Sequence, residues 1–495
     1  MSAVVRDQLF IGGRWRQPAS SAVLETISPI TEEPMGVSPH AGWADVDRAV
    51  AAARAAFDHG PWPRMASEER AAVMARIAEL LAARTEELAE LITDEMGCTI
   101  AFSRVVQAGV AVKTLEYYAD LARHAGFEEV RSDGGALVVA EPVGVVAAIV
   151  PWNFPLMLTM MKLGPALAAG CTVVLKPAPQ TALDSYILAE ACAEAGLPAG
   201  VLNIVPAGPE TGEHLVTSPG VDKVSFTGST AAGRRIGALC GEAIRRVTLE
   251  LGGKSAAIVL EDADVAAAVA AARMSAFANA GQACVAQTRF VVHRARYDEL
   301  VGGLAELASS LVVGDPRDAG TDVGPLAAEA QRARVESYIS SARQEGGRVV
   351  SGGGRPAGAS RGWYVEPTVI ADVSNAMRVA REEVFGPVVC VIPAAGDEEA
   401  IAIADDSDYG LGGSVWTADV ARGLAAARAV RTGRCSINGA PLGIDVPFGG
   451  FKGSGIGREW GPEGLRSYLE PKAIGVPAGH LDAAREDRKF YLNSV

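Results

Sequence analysis

The sequence predicts an α/β protein organised around two separate parallel sheets. Between residues 145 and 260, apolar runs of strand length alternate with helical stretches, and a second alternation follows residue 284. Alternation of this kind is typical of a parallel sheet covered by helices on both faces. The chain has 495 residues, which is too long for one hydrophobic core, so two or three domains are expected.

An amphipathic helix is predicted over 67–97, ahead of the first alternation. Ser67 can cap its start, Glu68 and Glu69 suit its first turn, and Gly97 is a typical helix end. Its apolar residues keep to one stripe at helical spacing, so one face should pack against a core.

The first sheet is predicted from five apolar runs with helices between them. The strands are expected at Val145–Val150, Thr172–Leu175, Val201–Val205, Lys223–Phe226 and Ala256–Leu260. The helices are expected near 156–169, 181–195, 209–217 and 230–243. A sheet of this type binds its ligand beyond the carboxyl ends of its strands.

The second sheet is predicted from three strands, at Arg289–His293, Val388–Ile392 and Gly413–Trp416. Two further stretches, Gly135–Glu141 and Tyr468–Val476, are predicted to be exposed strands outside both cores.

The composition favours a cytoplasmic protein without a nucleic-acid, membrane or metal partner. The formal net charge is −14, and no basic patch is visible in the sequence. The longest apolar runs reach about half of the roughly 20 residues that span a bilayer, and the first ten residues do not resemble a signal peptide. The seven cysteines and six histidines are scattered without metal-ligand or C-x-x-C spacing.

Three motifs contain the side chains needed to attack a carbonyl group. They are PWNFP with Asn153, LELGGK with Glu250, and GQAC with Cys284. A thiolate is a nucleophile, a carboxylate can activate water, and a side-chain amide can donate to an oxyanion. Taken alone, a cysteine is more often a small buried hydrophobe, and an asparagine between prolines more often caps a turn.

A fourth motif, FTGSTAAG over 226–233, follows a predicted strand and opens a helix. Its glycines and the free N–H groups of the helix start fit a pyrophosphate. It is neither G-x-G-x-x-G nor a Walker loop, and an ordinary strand-to-helix turn explains it equally well.

In this order the motifs resemble those of the aldehyde dehydrogenase superfamily, and the resemblance covers nearly the whole chain. It implies a Rossmann-like cofactor domain, an α/β catalytic domain and a small β oligomerisation arm. The cofactor domain is expected at 1–120 and 144–252, the catalytic domain at 253–452, and the arm with the C-terminal segment at 121–143 and 453–495. The arm implies a homo-dimer or homo-tetramer.

The resemblance implies oxidation of an aldehyde to a carboxylic acid with NAD(P). Cys284 would form a thiohemiacetal and then a thioester, while Asn153 and the Cys284 N–H hold the oxyanion. Glu250 would be the general base that hydrolyses the thioester; relatives that transfer the acyl group to coenzyme A commonly lack it. Lys162 and Glu459 match positions with proton-handling roles, and a structural salt bridge explains them at least as well.

The resemblance also implies a set of cofactor contacts. The expected residues are Trp152, Lys176, Gly228, Ser229, Gly233, Leu251, Gly252, Glu383 and Phe385. Ser229 would contact a phosphate, Lys176 the adenosine ribose and Glu383 the nicotinamide ribose. Many relatives that prefer NAD carry a glutamate where this chain has Pro179, so NAD is the expected cofactor and NADP stays open.

The matching substrate pocket is apolar. It is expected to contain Phe154, Met157, Met161, Val285 and Phe448. Relatives acting on succinic semialdehyde tend to have an arginine at the position of Met160 or Met161, which disfavours an acidic semialdehyde here. A medium-sized apolar aldehyde, aliphatic or aromatic, is the expected substrate.

Two other classes of function provide alternatives. A cysteine hydrolase or acyltransferase needs a histidine beside Cys284, and the nearest in sequence, His293, lies in no recognisable motif. A non-catalytic binding protein would be expected to lose Cys284, Glu250 or Asn153, and the chain retains all three.

Overall fold

Two large sheets organise the molecule, which a computed structural model describes over residues 4–131, 135–477 and 480. The strands described are β1 (Val4–Val5), β2 (Leu9–Ile11), β3 (Arg14–Arg16), β4 (Val23–Ile27), β5 (Pro34–Pro39), β6 (Glu128–Arg131), β7 (Ala136–Pro142), β8 (Val145–Ile149), β9 (Thr172–Lys176), β10 (Leu202–Ile204), β11 (Lys223–Thr227), β12 (Arg246–Glu250), β13 (Ser255–Val259), β14 (Gln287–His293), β15 (Arg348–Ser351), β16 (Thr368–Ala371), β17 (Val388–Ala394), β18 (Gly413–Trp416), β19 (Ser436–Ile437), β20 (Gly455–Ile456) and β21 (Leu469–Gly475).

The helices surround these sheets. Those described are α1 (Trp43–His59), α2 (Ser67–Ala83), α3 (Thr85–Met96), α4 (Ile100–Phe102), α5 (Ala111–His124), α6 (Pro155–Ala169), α7 (Asp184–Glu194), α8 (Pro209–Thr217), α9 (Thr230–Glu242), α10 (Val265–Ser275), α11 (Tyr297–Ser310), α12 (Glu329–Gln344), α13 (Arg378–Arg381), α14 (Asp397–Asp405), α15 (Val420–Ala429) and α16 (Gly461–Arg466). A π-helical segment, Ser103–Val110, joins α4 to α5.

The first sheet has the strand order β20-β12-β11-β8-β9-β10-β2-β3. Strands β8 to β12 run parallel, while β20, β2 and β3 are antiparallel edge strands. The chain passes from β8 outward through β9 and β10 and then returns to β11, on the other side of β8. Such a reversal leaves a crevice at the carboxyl ends of the two adjacent strands.

The second sheet has the order β15-β16-β17-β14-β13-β18-β19 and is parallel except for β15. It contains the strand predicted at Ala256–Leu260, so the assignment of that strand to the first sheet was wrong. Its place is taken by β12, which the sequence did not predict. The solvent-facing first half of β12 and its Thr248 interrupt the apolar run that marks a buried strand.

Hydrophobic cores lie on both faces of each large sheet. Alternate residues of β8 enter different cores, with Val146 on one face and Val145 on the other. In β13, Ala257 and Ile258 divide in the same way. The central strands of both sheets are therefore buried on two sides, which explains why they could be recognised as continuous apolar runs.

The helix predicted over 67–97 is two helices, α2 and α3, separated at Arg84. Arg84 has φ −110° and ψ 18°, and the hydroxyl of Thr85 donates to the carbonyl of Ala82 at 2.8 Å. The acidic first turn of α3, Glu86 and Glu87, starts the second helix. The predicted end is confirmed, because Gly97 adopts the left-handed conformation with φ 85°.

A three-stranded sheet of β6, β7 and β21 stands apart from both large sheets. The two predicted strands are confirmed as β7 and β21, which pair antiparallel from Leu469 with Pro142 to Gly475 with Ala136. The predicted exposure holds for most of β21, whereas Val138 and Ala140 of β7 are buried in a core that covers the first sheet. Residues 478–479 and 481–495 of the expected C-terminal segment lie outside the described residues. Within the described part of the chain, no helix combines the length and apolar character needed to cross a bilayer.

Candidate active site

The first sheet contributes to the site through the loops that follow its strands. Trp152 and Asn153 come after β8, Gly228 and Ser229 after β11, and Leu251 after β12. They all line one cleft beside the reversal between β8 and β11. Helix α9 begins in the loop after β11, so its N-terminus points free N–H groups toward the cleft, where its capping residue Ser229 lies.

The second sheet contributes through the loops that precede its strands. Gly252 lies just before β13, Cys284 just before β14, and Glu383 and Phe385 just before β17. The carboxyl ends of one sheet thus face the amino ends of the other across the cleft. Within this second side, the N–H of Gly253 donates to Glu383 Oε1 at 3.0 Å, which joins the loop before β13 to the loop before β17.

Two cavities meet at Cys284. The first has a volume of about 210 Å³ and is the cleft between the two sheets. The second has a volume of about 400 Å³, and its wall is mainly apolar. Cys284 is half-buried and lines both cavities, so its thiol is accessible from two sides.

Most of the predicted cofactor residues lie together in the cleft. Those that line it are Trp152, Gly228, Ser229, Leu251, Gly252, Glu383 and Phe385. Trp152 and Phe385 meet edge to face with ring centroids 5.5 Å apart. The carboxylate of Glu383 lies against the backbone of Gly252, because a Cβ added to that glycine would be 2.7 Å from Glu383 Oε2.

Lys176 and Gly233 lie outside this cleft. Lys176 ends β9 and is buried, and its ammonium group donates to the carbonyls of Pro177 and Ala207 at 2.9 and 2.8 Å. Burial lowers its pKa to about 8. Gly233 lies in the first turn of α9 against Leu251, where a Cβ would clash with the leucine side chain.

The loop before Cys284 is held in an uncommon conformation. Asn279, Ala280 and Gly281 have positive φ values of 55°, 52° and 70°. Such values are unfavourable for residues with a Cβ. At Gly281 a Cβ would also overlap the carbonyl of Gly386, so this position requires glycine. The loop therefore depends on surrounding contacts to keep its shape.

A cluster of buried amides supplies those contacts. Asn153 Nδ2 donates to the carbonyl of Gln282 at 3.0 Å, which leaves its second N–H for another acceptor. The carbonyl of Asn153 accepts from Asn279 Nδ2 at 3.0 Å and from Gln107 Nε2 at 2.9 Å. Sequence reasoning missed Gln107 because it lies in the distant π-helical segment and in no motif.

Glu250 ends β12 and is 1% exposed. Neither carboxylate oxygen has a hydrogen-bond partner among the described residues. Burial, and then the nearby Glu459 carboxylate, raise the pKa of Glu250 well above its usual range, although Lys162 opposes the shift. Gly449 leaves room for the side chain, since a Cβ there would lie 2.6 Å from Oε1.

Glu459 is equally buried, but one of its carboxylate oxygens, Oε1, has two polar partners. Lys162 Nζ lies 2.6 Å from Glu459 Oε1, and the hydroxyl of Ser225 donates to the same oxygen at 3.1 Å. Lys162 Nζ also donates to Thr227 Oγ1 at 2.7 Å. The predicted pair thus forms one buried ion pair next to Glu250.

Two other pKa shifts bear on the chemistry. Burial raises the pKa of the Cys284 thiol, and the carboxylates of Glu383 and Glu250 raise it further. Cys284 is therefore a thiol at neutral pH and needs a base or a cation to become a thiolate. Burial raises the pKa of Glu383 to about 7, against the effect of the Gly253 N–H.

The five predicted pocket residues all line the apolar cavity. Others were missed because they lie outside the motifs. They are chiefly Phe102, Val106 and Val110 of the segment before α5, with Trp460 and Arg434. Phe448 and Trp460 pack edge to face with ring centroids 5.5 Å apart.

Within the described residues no histidine lines either cavity. His293 ends β14, while Cys284 precedes its start, which separates them by the length of a seven-residue strand. Its Nδ1 accepts the N–H of Ala295 at 3.3 Å. A cysteine–histidine hydrolase built on His293 is therefore excluded.

Comparisons with known proteins agree along nearly the whole chain. A sequence model of the aldehyde dehydrogenase family matches residues 15–474. Geranial dehydrogenase from Castellaniella defragrans is 48% identical over 471 residues, which cover 94% of this chain and 98% of that protein. Mitochondrial aldehyde dehydrogenase from Homo sapiens is 41% identical over 476 residues, covering 95% of this chain and 92% of that protein.

Solved structures give the same result. A Mycobacterium tuberculosis aldehyde dehydrogenase complexed with NAD+ superposes with a TM-score of 0.95 and 48% identity, covering 97% of this chain and 100% of that one. A variant of aldehyde dehydrogenase C from Pseudomonas syringae, complexed with NAD+ and octanal, has a TM-score of 0.93 and 43% identity. It covers 96% of this chain and 98% of that one.

Proposed function

The chain belongs to the aldehyde dehydrogenase family and oxidises an aldehyde with NAD, and we propose that Cys284 is its nucleophile and water its acyl acceptor. The observation that carries this proposal is the position of Cys284. It lies where a polar cleft suited to a dinucleotide meets an apolar cavity suited to an aldehyde. A carbonyl group entering from one side can thus meet a hydride acceptor entering from the other.

The cleft fits the nicotinamide end of NAD. Oε2 of Glu383 has no donor among the described residues and faces the bare backbone of Gly252, so it is available to a ribose hydroxyl. The N-terminus of α9, where Ser229 caps the helix, suits a phosphate. When bound, NAD supplies the acceptor for the hydride that leaves the substrate carbon. Lys176 would hold the adenosine ribose, provided that it gives up one of its carbonyl partners.

Cys284 Sγ attacks the aldehyde carbon, and its proton passes to a base as the carbon–sulfur bond forms. The carbonyl oxygen becomes an oxyanion that needs preorganised donors. The free N–H of Asn153 and the backbone N–H of Cys284 supply them. Because the amide cluster fixes both groups, little reorganisation is needed when charge develops.

Glu250 accepts a proton from the water that hydrolyses the Cys284 thioester. A carboxylate without hydrogen-bond partners is a stronger base than one in an ion pair, and burial raises the pKa of Glu250 in the direction that strengthens a base. Water adds to the acyl carbon, the carbon–sulfur bond breaks, and the carboxylic acid leaves. The Lys162–Glu459 pair acts as a positioning element that keeps one positive charge beside two buried carboxylates.

The apolar cavity favours a medium-sized apolar aldehyde. Met157 and Met161 can adapt to ligands of different shape, while Phe154 and Phe448 provide flat walls. One relative is named for geranial, and one solved neighbour is complexed with octanal. Both names agree with a substrate of this class.

We further propose a homo-dimer or homo-tetramer located in the cytoplasm. The sheet of β6, β7 and β21 leaves β21 as an edge strand whose residues from Pro471 onward are mostly exposed, and an open edge suits pairing with a second copy. All seven cysteines are free, as expected in a reducing compartment. Functionally, 1–120 and 144–252 would bind the cofactor, 253–452 would carry the catalytic cysteine, and 121–143 with 453–495 would join subunits.

The test follows formation of reduced nicotinamide by absorbance with purified protein. Hexanal, benzaldehyde and succinic semialdehyde are each supplied with NAD or NADP, without coenzyme A. The expected result is reduction of NAD by an apolar aldehyde. In Cys284→Ala the rate of this reduction should fall by a factor on the order of 10⁴ or more. Undiminished activity in Cys284→Ala would contradict the proposal.

A further inference from the structure

One charged side chain, Arg434, lines the otherwise uncharged aldehyde cavity in the described chain. It lies just before β19, in a stretch that no motif singled out. Its guanidinium carbon lies 5.5 Å from the ring centroids of both Phe448 and Trp460, so it rests on two walls of the cavity. An arginine in such a place requires an explanation, because a half-buried cation in an apolar cavity is costly.

The contacts of Arg434 leave part of its donor fork unused. Nη2 donates to the carbonyl of Leu442 at 2.9 Å and to that of Gly443 at 3.4 Å. Nε and Nη1 have no acceptor among the described residues, and they are not sealed from the cavity. No acidic residue compensates the charge: burial alone lowers the pKa of Arg434, and a guanidinium nonetheless stays charged at neutral pH.

Arg434 lines the same cavity as Cys284, which lies where the cavity meets the cleft. Its partner Leu442 is 43% exposed, so this part of the cavity wall reaches solvent. A substrate with its carbonyl carbon at Cys284 therefore shares the cavity with the guanidinium group of Arg434.

We propose that Arg434 selects aldehydes that carry a carboxylate at the end remote from the reacting carbonyl group. This inference rests on the proposed function. The unused N–H groups match the planar geometry of a carboxylate, and the carboxylate provides the absent counter-charge. The apolar wall of the cavity accommodates a hydrocarbon spacer. A purely apolar chain of the same length fits this wall as well but leaves the N–H groups of Arg434 without an acceptor.

This assignment refines the expectation drawn from Met160 and Met161. The expectation used the absence of an arginine at those two positions of α6 to disfavour an acidic semialdehyde. Arg434 supplies a cation to the same cavity from another segment, next to Leu442.

The test compares octanal with 8-oxooctanoate, which differ only by the terminal carboxylate. The measured quantity is the ratio of kcat/KM for 8-oxooctanoate to kcat/KM for octanal, in the full protein with NAD. In Arg434→Met this ratio should fall roughly 10- to 100-fold, as expected for loss of a charge-assisted hydrogen bond. Arg434→Lys keeps the charge without the fork and should retain part of the preference.

Arg428→Met is the matched control, since Arg428 lies on α15, is exposed and does not line the cavity. Its ratio should equal that of the unchanged protein. An equal loss for both substrates in Arg434→Met would mean that the arginine only supports the loop at Leu442, and would overturn the inference. Complete loss of preference in Arg434→Lys would overturn recognition by charge.

A binding experiment separates this inference from the proposed function. Calorimetric titration with octanoate and with 1-octanol requires no turnover. Octanoate should bind at least about tenfold more tightly than 1-octanol, and Arg434→Met should remove the difference. If no aldehyde is oxidised, the proposed function fails while this titration still decides the role of Arg434. Equal affinity for the two ligands in the unchanged protein would contradict it.

Discussion

The two large sheets deliver their residues to the active site from opposite ends. The first contributes Asn153, Ser229 and Glu250 at or after the carboxyl ends of its strands, whereas the second contributes Cys284 and Glu383 before the amino ends of its strands. The first side also presents the N-terminus of α9, where Ser229 caps the helix, and is therefore suited to the phosphates of a dinucleotide. The second side consists of irregular loops, which can present a nucleophile in a strained conformation.

General rules of sheet topology predict the position of only one side of this site, the one formed by the first sheet. Ligand binding at the reversal of a doubly wound sheet accounts for the loops after β8, β11 and β12. No such rule applies to the loops before β14 and β17. The shape of the loop before β14 depends on contact with the first side, since Asn153 Nδ2 donates to the carbonyl of Gln282.

Removal of the proposed base from the first side should have the largest effect. Glu250→Gln should lower the steady-state rate roughly 100- to 10,000-fold, because hydrolysis of the thioester loses its general base. In the unchanged protein, this step should accelerate as pH rises through the raised pKa of Glu250, because only the deprotonated carboxylate can act as the base. Rapid-quench and steady-state kinetics between pH 6 and 9 measure both effects.

Glu459→Gln is the matched comparison, because both glutamates are 1% exposed. It leaves Lys162 buried without its charged partner, which should destabilise the fold by about 3–5 kcal/mol. Thermal unfolding should therefore detect Glu459→Gln, whereas kinetics of the acyl-enzyme should detect Glu250→Gln. A slower hydrolysis step in Glu459→Gln alone would reverse the two roles.

Gly281→Ala should distort the loop on the second side. The substitution combines an unfavourable positive φ with a clash against the carbonyl of Gly386, and strain of this kind costs roughly 1–3 kcal/mol or more. We expect a lower Tm together with slower acylation of Cys284. Gly196→Ala is the control: Gly196 has φ 78°, but nothing lies within 4 Å of an added Cβ. Equal losses of activity in both variants would show that the loop geometry is unimportant.

Glu383→Gln should weaken binding of the cofactor at the second side. The pKa of Glu383 is about 7, so its carboxylate form, the better acceptor for a ribose hydroxyl, gains population as pH rises through that value. In the unchanged protein the KM for NAD should fall over the same range. The variant should have a KM roughly tenfold higher, as expected for one hydrogen bond to a charged group, and independent of pH. A KM that stays pH-dependent in the variant would contradict this role.

Pro179→Glu should produce the smallest effect, a change of cofactor preference on the first side. Pro179 follows β9 and Lys176, at the start of a short helical turn. A carboxylate there would repel a ribose 2′-phosphate, so the ratio of kcat/KM with NAD to that with NADP should rise about five- to tenfold. An unchanged ratio would mean that this loop does not determine cofactor choice.

The elements and residues that could be predicted from the sequence are those marked by burial or by a local motif. Strands buried on both faces, such as β8, β9 and β18, appeared as apolar runs. Many motif residues line the two cavities, among them Asn153, Ser229 and Cys284, whereas Glu250, Lys176 and Gly233 line neither. Strand β12 was missed because its exposed first half and its threonine interrupt the apolar pattern. The break at Arg84 depends on local side-chain bonds that periodicity does not detect.

Residues that act through distant contacts could not be found in this way. Gln107 is 46 positions from Asn153 along the chain but bonds to its carbonyl. Arg434 enters the aldehyde cavity only because its strand lies beside β18, next to the loop of Leu442. Neither position shows a pattern in the local sequence, since its role exists only after the two sheets have packed.

The central claim is that Cys284, from the second side, carries an acyl group that Glu250, from the first side, removes. The most direct measurement is mass spectrometry of the Glu250→Gln protein after brief exposure to octanal and NAD. The account predicts one octanoyl group on the peptide containing Cys284, and none on the peptide containing the half-buried Cys435. Absence of the adduct while reduced nicotinamide forms, or an adduct on Cys435 instead, would contradict it.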